Sequence, residues 1–180
     1  MSAYDSQPNS QPDSSNAFPA DVTMPTPADD RQAVVDLTIA YTWAIDAHDW
    51  NALRSIFVPD ATALLVDERV GIDSIIERIS TALGPLDDSQ HLIGNHQVRL
   101  DGDTATCRCY LQAQHVRRAA EGGPNFIVAG RYEDEMVRTT EGWRISRRVL
   151  VVMWTDGNPS VVRPTSPREH ATPLSKGSAS

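Results

Sequence analysis

Apolar positions recur with helical spacing over residues 30–83 and with strand spacing over 91–155. Val34, Leu37, Tyr41 and Ala44 form one row of a helix, and Val35, Ile39, Thr42 and Asp46 form the row beside it. The stripe is therefore broad, and Asp46 lies on its edge near the C-terminal end. Asp29 or Asp30 is placed to cap the start. Asp49 opens a second, short helix whose Leu53, Ile56 and Phe57 face inward; Pro59-Asp60 ends it, and residues 61–66 read as a short apolar strand. Gly71-Ile72-Asp73 opens a third helix, in which Ile72, Ile75, Ile76, Ile79 and Leu83 share one face before Gly84-Pro85 stops it.

The remainder alternates with strand period. Residues 91–100 and 104–116 flank Asp101-Gly102-Asp103, and residues 126–139 and 143–155 flank Thr140-Glu141-Gly142, two hairpin signals. A loop carrying Gly122, Gly123 and Pro124 joins them into an antiparallel meander. Helices followed by a run of strands predict an α+β fold, with three N-terminal helices packed on a strongly curved antiparallel sheet. Strands this long must twist or bend, and helices over the concave side then enclose a pocket. One register conflict stands out. His91, Ile93 and Asn95 share a strand face while Val98 and Leu100 share the other. His91 and Val98 can both face the core only through a bulge near Gly94-Asn95, or if His91 precedes regular pairing.

Composition trims the ends and the partners. Residues 1–28 are rich in Ser, Pro, Asn, Gln and Asp, too poor in aliphatics to offset ordering entropy. They and residues 163–180 are expected to be disordered tails around one domain at 29–162. The formal net charge is −8, which argues against nucleic acid or an anionic membrane surface as partner. Residues 1–30 hold no Lys or Arg and no apolar signal-like segment, so a cytoplasmic location is expected. Cys107 and Cys109 lie two apart on one strand, point to the same face and are badly placed to bridge.

The chemistry gathers on residues 41–49. Tyr41, Asp46 and His48 sit there among apolar side chains, and a carboxylate in such surroundings is costly unless paired. The downstream partners are His91 and His115, the latter on the more apolar face of its strand with Cys107, Cys109, Leu111 and Ala113. An Asp bonded to one imidazole nitrogen fixes the tautomer, leaves the other as a base and stabilises the imidazolium. Val149 to Trp154 are apolar on both faces of the last strand, which implies burial on both and a homodimer or homotrimer packed through the sheet.

Taken in order, Tyr41-x4-Asp46-Ala47-x-Asp49-Trp50, Leu53-x3-Phe57-x-Pro59-Asp60-Ala61, Gly71-x3-Ile75, Gln90-His91-x3-Asn95, Asp101-Gly102-Asp103-x-Ala105, Gly130-x-Tyr132 and Gly142-Trp143-x-Ile145 resemble the SnoaL-like branch of the NTF2-like superfamily. The nearer resemblance is to its scytalone dehydratase, bile acid 7-alpha-dehydratase and hexachlorocyclohexane dehydrochlorinase group. That resemblance implies an NTF2-like cone and a catalytic pair at Asp46 and His91. It also implies catalytic roles for Tyr41 and His115, and substrate contacts at Arg148, Asn95 and Trp43. No cofactor and no metal are implied. The ketosteroid isomerase pattern fits worse, because Leu64 and Leu65 stand in the region of its base.

The expected activity is a cofactor-independent lyase, dehydrating a small apolar carbonyl compound such as a polyketide-derived or steroid-like ring. His91 would be the base and a charged His115 the acid. An isomerase or aldol-type cyclase of the same fold, and a non-catalytic ligand-binding or assembly module, stay open beside it.

Overall fold

The computed structural model describes residues 26–163. Of the expected tails at 1–28 and 163–180, residues 1–25 and 164–180 lie outside the described residues, while residues 26–28 cap and open the first helix. Helix α1 spans Pro27–Asp46, and it begins earlier than Asp29. Thr26 is its N-cap, and Thr26 and Asp29 form a reciprocal capping box, with Pro27 in the first turn. Asp29 thus serves at the third helical position, and Asp30 instead bonds Arg138 and the indole of Trp143 on the far hairpin.

The expected second helix is a single 3-10 turn, Ala52–Ser55. Phe57 already opens strand β1, Phe57–Leu64, which runs through Pro59 and Asp60. The three-helix count therefore becomes two α-helices. Proline is tolerated here because the β1–β6 pairing is irregular between Phe57 and Thr62, where a missing N–H breaks no ladder bond. A short strand β2, Glu68–Val70, folds back on β1. Helix α2, Ile72–Leu83, buries Ile72, Ile75, Ile79 and Leu83, the predicted face.

Strands β3 (Asp88–Asp101), β4 (Thr104–Val116), β5 (Asn125–Thr139) and β6 (Gly142–Gly157) form the predicted meander. The six strands lie in the order β2-β1-β6-β5-β4-β3. The sheet is not purely antiparallel, because β1 pairs with β6 in parallel. That pairing puts the β1–β2 hairpin, with α2 packed over it, at one edge of the sheet, and the β3–β4 hairpin at the other. One core, including Val34, Tyr41, Ile45, Leu53, Phe57, Ile75, Leu111, Met136 and Ile145, joins the helices to the concave face.

Irregular pairings bend the sheet. The one that matters most lies between Gly94 and Gln97, where Asn95 adopts φ 56°. The extra residue lets His91 and Val98 face inward together and turns His96 inward, where its Nε2 lies 3.0 Å from Thr38 Oγ1. A second lies in β6, where Ala129 pairs with Trp154 but Gly130 with Val152. Gly130 permits this close approach: a Cβ there would stand 2.2 Å from the Val151 carbonyl oxygen. Past this bulge Val152, Met153 and Trp154 are all exposed in the single chain, together with Leu92 and Tyr110.

Candidate functional site

Asp46 is the last residue of α1. A carboxylate at a helix C-terminus meets the negative end of the helix dipole, so this position needs donors from elsewhere. Strand β3 supplies three. Ser89 Oγ donates to Oδ1 at 2.8 Å, the His91 amide donates to Oδ2 at 2.8 Å, and the His91 ring donates from Nδ1 to Oδ1 at 2.6 Å. Burial works to raise the Asp46 pKa, but the hydrogen bonds from the His91 ring and amide and from Ser89 outweigh it and hold it below the ordinary value. An ionised carboxylate only accepts, so Nδ1 carries the proton, and Nε2 is the ring nitrogen that Asp46 does not hold.

His91 borders a cavity of about 140 Å³. Tyr41, Ile45, His115, Leu111, Val128 and Tyr132 line it further, with Arg78 and the loop at residues 65–66 nearer solvent. The His115 ring lies edge-on to His91, with centroids 5.3 Å apart. His115 is 5 % exposed and its Nδ1 has no hydrogen-bond partner among the described residues. Burial, aided by the neighbouring His91, pushes its pKa down to about 4. His115 is therefore a neutral imidazole near pH 7, and the expected charged acid is corrected on that ground.

Tyr41 and Tyr132 are both buried in the cavity wall. Burial raises both phenols above their ordinary pKa, so they stay protonated and able to donate. Behind them stands Arg148, whose guanidinium packs 4.0 Å from the Tyr41 ring centre and 4.3 Å from that of Tyr132. Arg148 Nε and Nη2 each donate to Asp134 at 2.7 Å, and both side chains are fully buried.

The other sequence candidates lie elsewhere. Arg148 points inward but does not line the cavity, because its charge is spent on Asp134, its register partner across β5–β6. Asn95 is the exposed bulge residue of β3, turned from the cavity by the bulge that admits His91. Trp43 is 73 % exposed, on the side of α1 opposite Tyr41 and Ile45. His48, in left-handed backbone just past α1, stacks on Trp50 and is not in the cavity lining. Sequence reasoning missed Tyr132, Asp134 and Ser89. The signal for Asp134 was its parity: it shares a face with Tyr132 and Met136 on β5, where an unpaired carboxylate has no place. Among the described residues no three His, Cys, Asp or Glu side chains converge as a metal site.

A family model described as the SnoaL-like domain matches residues 26–149. The chain belongs to the SnoaL-like family. Its fold is that of the NTF2-like superfamily. This SnoaL-like domain is 37 % identical over 127 residues to an uncharacterized protein of Mycobacterium tuberculosis, covering 67 % of this chain and 83 % of that protein. Among solved structures, a Novosphingobium aromaticivorans protein provisionally named an aromatic ring hydroxylase matches with TM-score 0.69 and 30 % identity, over 77 % of this chain and all of that one. A second protein from that organism, provisionally named a scytalone dehydratase, matches with TM-score 0.66 and 23 % identity, over 78 % and 94 % of the two chains. At that identity the likeness is one of fold. Among the described residues no helix is long and apolar enough to cross a membrane.

Proposed function

We propose that this SnoaL-like domain is a cofactor-independent lyase of the dehydratase type. Its substrate would be a small, largely apolar carbonyl compound, such as a polyketide-derived or steroid-like ring. The observation that carries the reading is the Asp46–His91 pair, bonded at 2.6 Å, with His91 in the wall of a largely apolar cavity. The fold shared with a dehydratase-named neighbour is consistent with it.

In this reading His91 Nε2 removes a proton from the carbon beside the carbonyl. The C–H bond breaks, an N–H bond forms, and the electron pair moves to the carbonyl oxygen as an enolate. Asp46 stabilises the resulting imidazolium through Nδ1. Tyr41 and Tyr132, both neutral phenols in the wall, donate hydrogen bonds to the enolate oxygen. The enolate collapses, the neighbouring C–O bond breaks, and the departing hydroxyl takes the proton back from His91 Nε2 to leave as water. The carbon–carbon double bond forms and His91 returns to its neutral state. His115, neutral from the start, orients substrate or a departing water rather than supplying the proton.

The test is a panel of cyclic β-hydroxy ketones followed by mass spectrometry. Loss of water, abolished in His91→Ala and reduced about 10²–10⁴-fold in Asp46→Asn, is the expected result. An unchanged product mass would identify isomerisation or cyclisation by the same base. Near-normal turnover in His91→Ala on a true substrate would end the reading.

A further inference from the structure

The wall of the cavity carries a guanidinium that the elimination does not use. Arg78 projects from α2 into the lining, and among the described residues it is the one Arg or Lys there. Its Nε donates to Asp67 Oδ1 at 2.8 Å. The other carboxylate oxygen of Asp67 already accepts from Arg69 Nη2 at 2.5 Å. Arg69 first, then Arg78, holds the Asp67 carboxyl below its ordinary pKa, so the carboxylate is ionised. Two guanidiniums therefore share one carboxylate, leaving one positive charge in excess. Among the described residues the two Nη groups of Arg78 have no hydrogen-bond partner.

The location decides what that charge is for. The His91 side chain is 5 % exposed and the Arg78 side chain 21 %, while Val66 beside it is 77 % exposed. Arg78 thus stands nearer the rim and His91 in the depth. They also come from opposite edges of the sheet: α2 and the β1–β2 hairpin carry Arg78, and β3 carries His91. The rest of the lining is largely apolar, with Ile79, Leu83, Leu111 and Leu150 among it. The chain's net charge is −8, so an unused cation at the mouth of an apolar cavity is not a general surface property. A guanidinium with free Nη groups matches a carboxylate, which two parallel N–H donors can hold.

We infer that Arg78 binds a carboxylate of the substrate, so that the substrate is an apolar-bodied carboxylic acid held with its acid group at the rim and its reacting carbon at His91. This rests on the proposed elimination reading for the reacting end, and adds the class of molecule. A neutral analogue then loses the rim anchor and binds without a fixed orientation.

The test needs no true substrate. Calorimetric titration with 2-naphthoate and with 2-naphthamide, at low ionic strength, compares one ring system with and without the charge. The backbone amide resonances of Leu111 and Ala113 report whether the ring enters the cavity. The expected result is at least tenfold tighter binding of naphthoate, with those amides shifted. That preference should disappear in Arg78→Met and persist in part in Arg78→Lys, with both variants retaining the wild-type circular dichroism. Equal affinity for the two ligands, or a preference unchanged in Arg78→Met, overturns the role of Arg78 while leaving the cavity and its acid–base pair intact. If neither ligand shifts Leu111 and Ala113, the cavity does not receive an apolar ring, and the function reading falls together with this one.

Discussion

Acid should weaken this fold through His115 in a narrow, identifiable window. The ordinary pKa of a histidine here is 6.5, and burial beside His91 pushes that of His115 down to about 4. The unfolded chain therefore binds a proton between those values that the folded chain refuses. Stability is full above pH 6.5, falls as pH drops through 6 and 5, and levels off below about 4. The gap is worth about 3 kcal/mol when fully developed and about 2 kcal/mol between pH 7.5 and pH 5. The side chain is 5 % exposed, so solvent screening takes little from it. Urea denaturation of wild type and His115→Phe at the two pH values isolates the effect as a difference of differences. Other groups, such as His96, whose pKa burial also lowers, contribute to both proteins and largely cancel. At pH 7.5 the substitution should cost about 1 kcal/mol, since one of the two ring nitrogens it removes, Nδ1, has no hydrogen-bond partner among the described residues and the ring's hydrogen bond is to the Phe126 backbone. At pH 5 the variant should have become the more stable protein, by roughly 2 kcal/mol relative to its offset at pH 7.5. An imidazole of His115 titrating above pH 6 by NMR would refute the reasoning, as would an acid loss equal in wild type and variant.

Three further outcomes are expected. Asp134→Ala should cost about 3–5 kcal/mol in urea denaturation, because it strands the fully buried Arg148 guanidinium; a cost under 1 kcal/mol would mean Arg148 finds water or another partner. Cys107 and Cys109 are free and buried, with burial as the main cause raising their pKa to about 12 and about 11. Neither should react with a thiol reagent at pH 8 faster than the chain globally unfolds. The outer sheet face shows Leu92, Tyr110, Met153 and Trp154, so sedimentation at micromolar concentration should find a dimer or trimer that Trp154→Glu dissociates. A monomeric wild type would remove the sheet face as an interface.

The contact between Asp46 and His91 was legible because its clues are local. Asp46 sits on an apolar stripe whose helical period is plain, and a carboxylate there demands donors. The conflict between His91 and Val98 called for a bulge near Gly94-Asn95 or for His91 to precede regular pairing; His91 pairs regularly with Ala113, and Asn95 at φ 56° lies in the bulge. The helix count failed where tertiary context overrides local signals. Leu53, Ile56 and Phe57 fit a helix face, yet after one 3-10 turn the chain extends to pair with β6 in parallel. A parallel partner some ninety residues away leaves no trace in the local period.

The sequence by itself determined the two long helices, the two hairpins and the inward face of His115, because periodicity and turn chemistry act over a few residues. Only the tertiary structure decided the charges. Burial beside His91 makes His115 neutral, and register across β5–β6 binds Arg148 to Asp134 rather than to a ligand. The chain's return across the sheet brings Arg78 to a cavity that His91 borders from the opposite edge. Protonation and ion pairing depend on what is packed against a group, and packing partners distant in sequence are set by the fold as a whole.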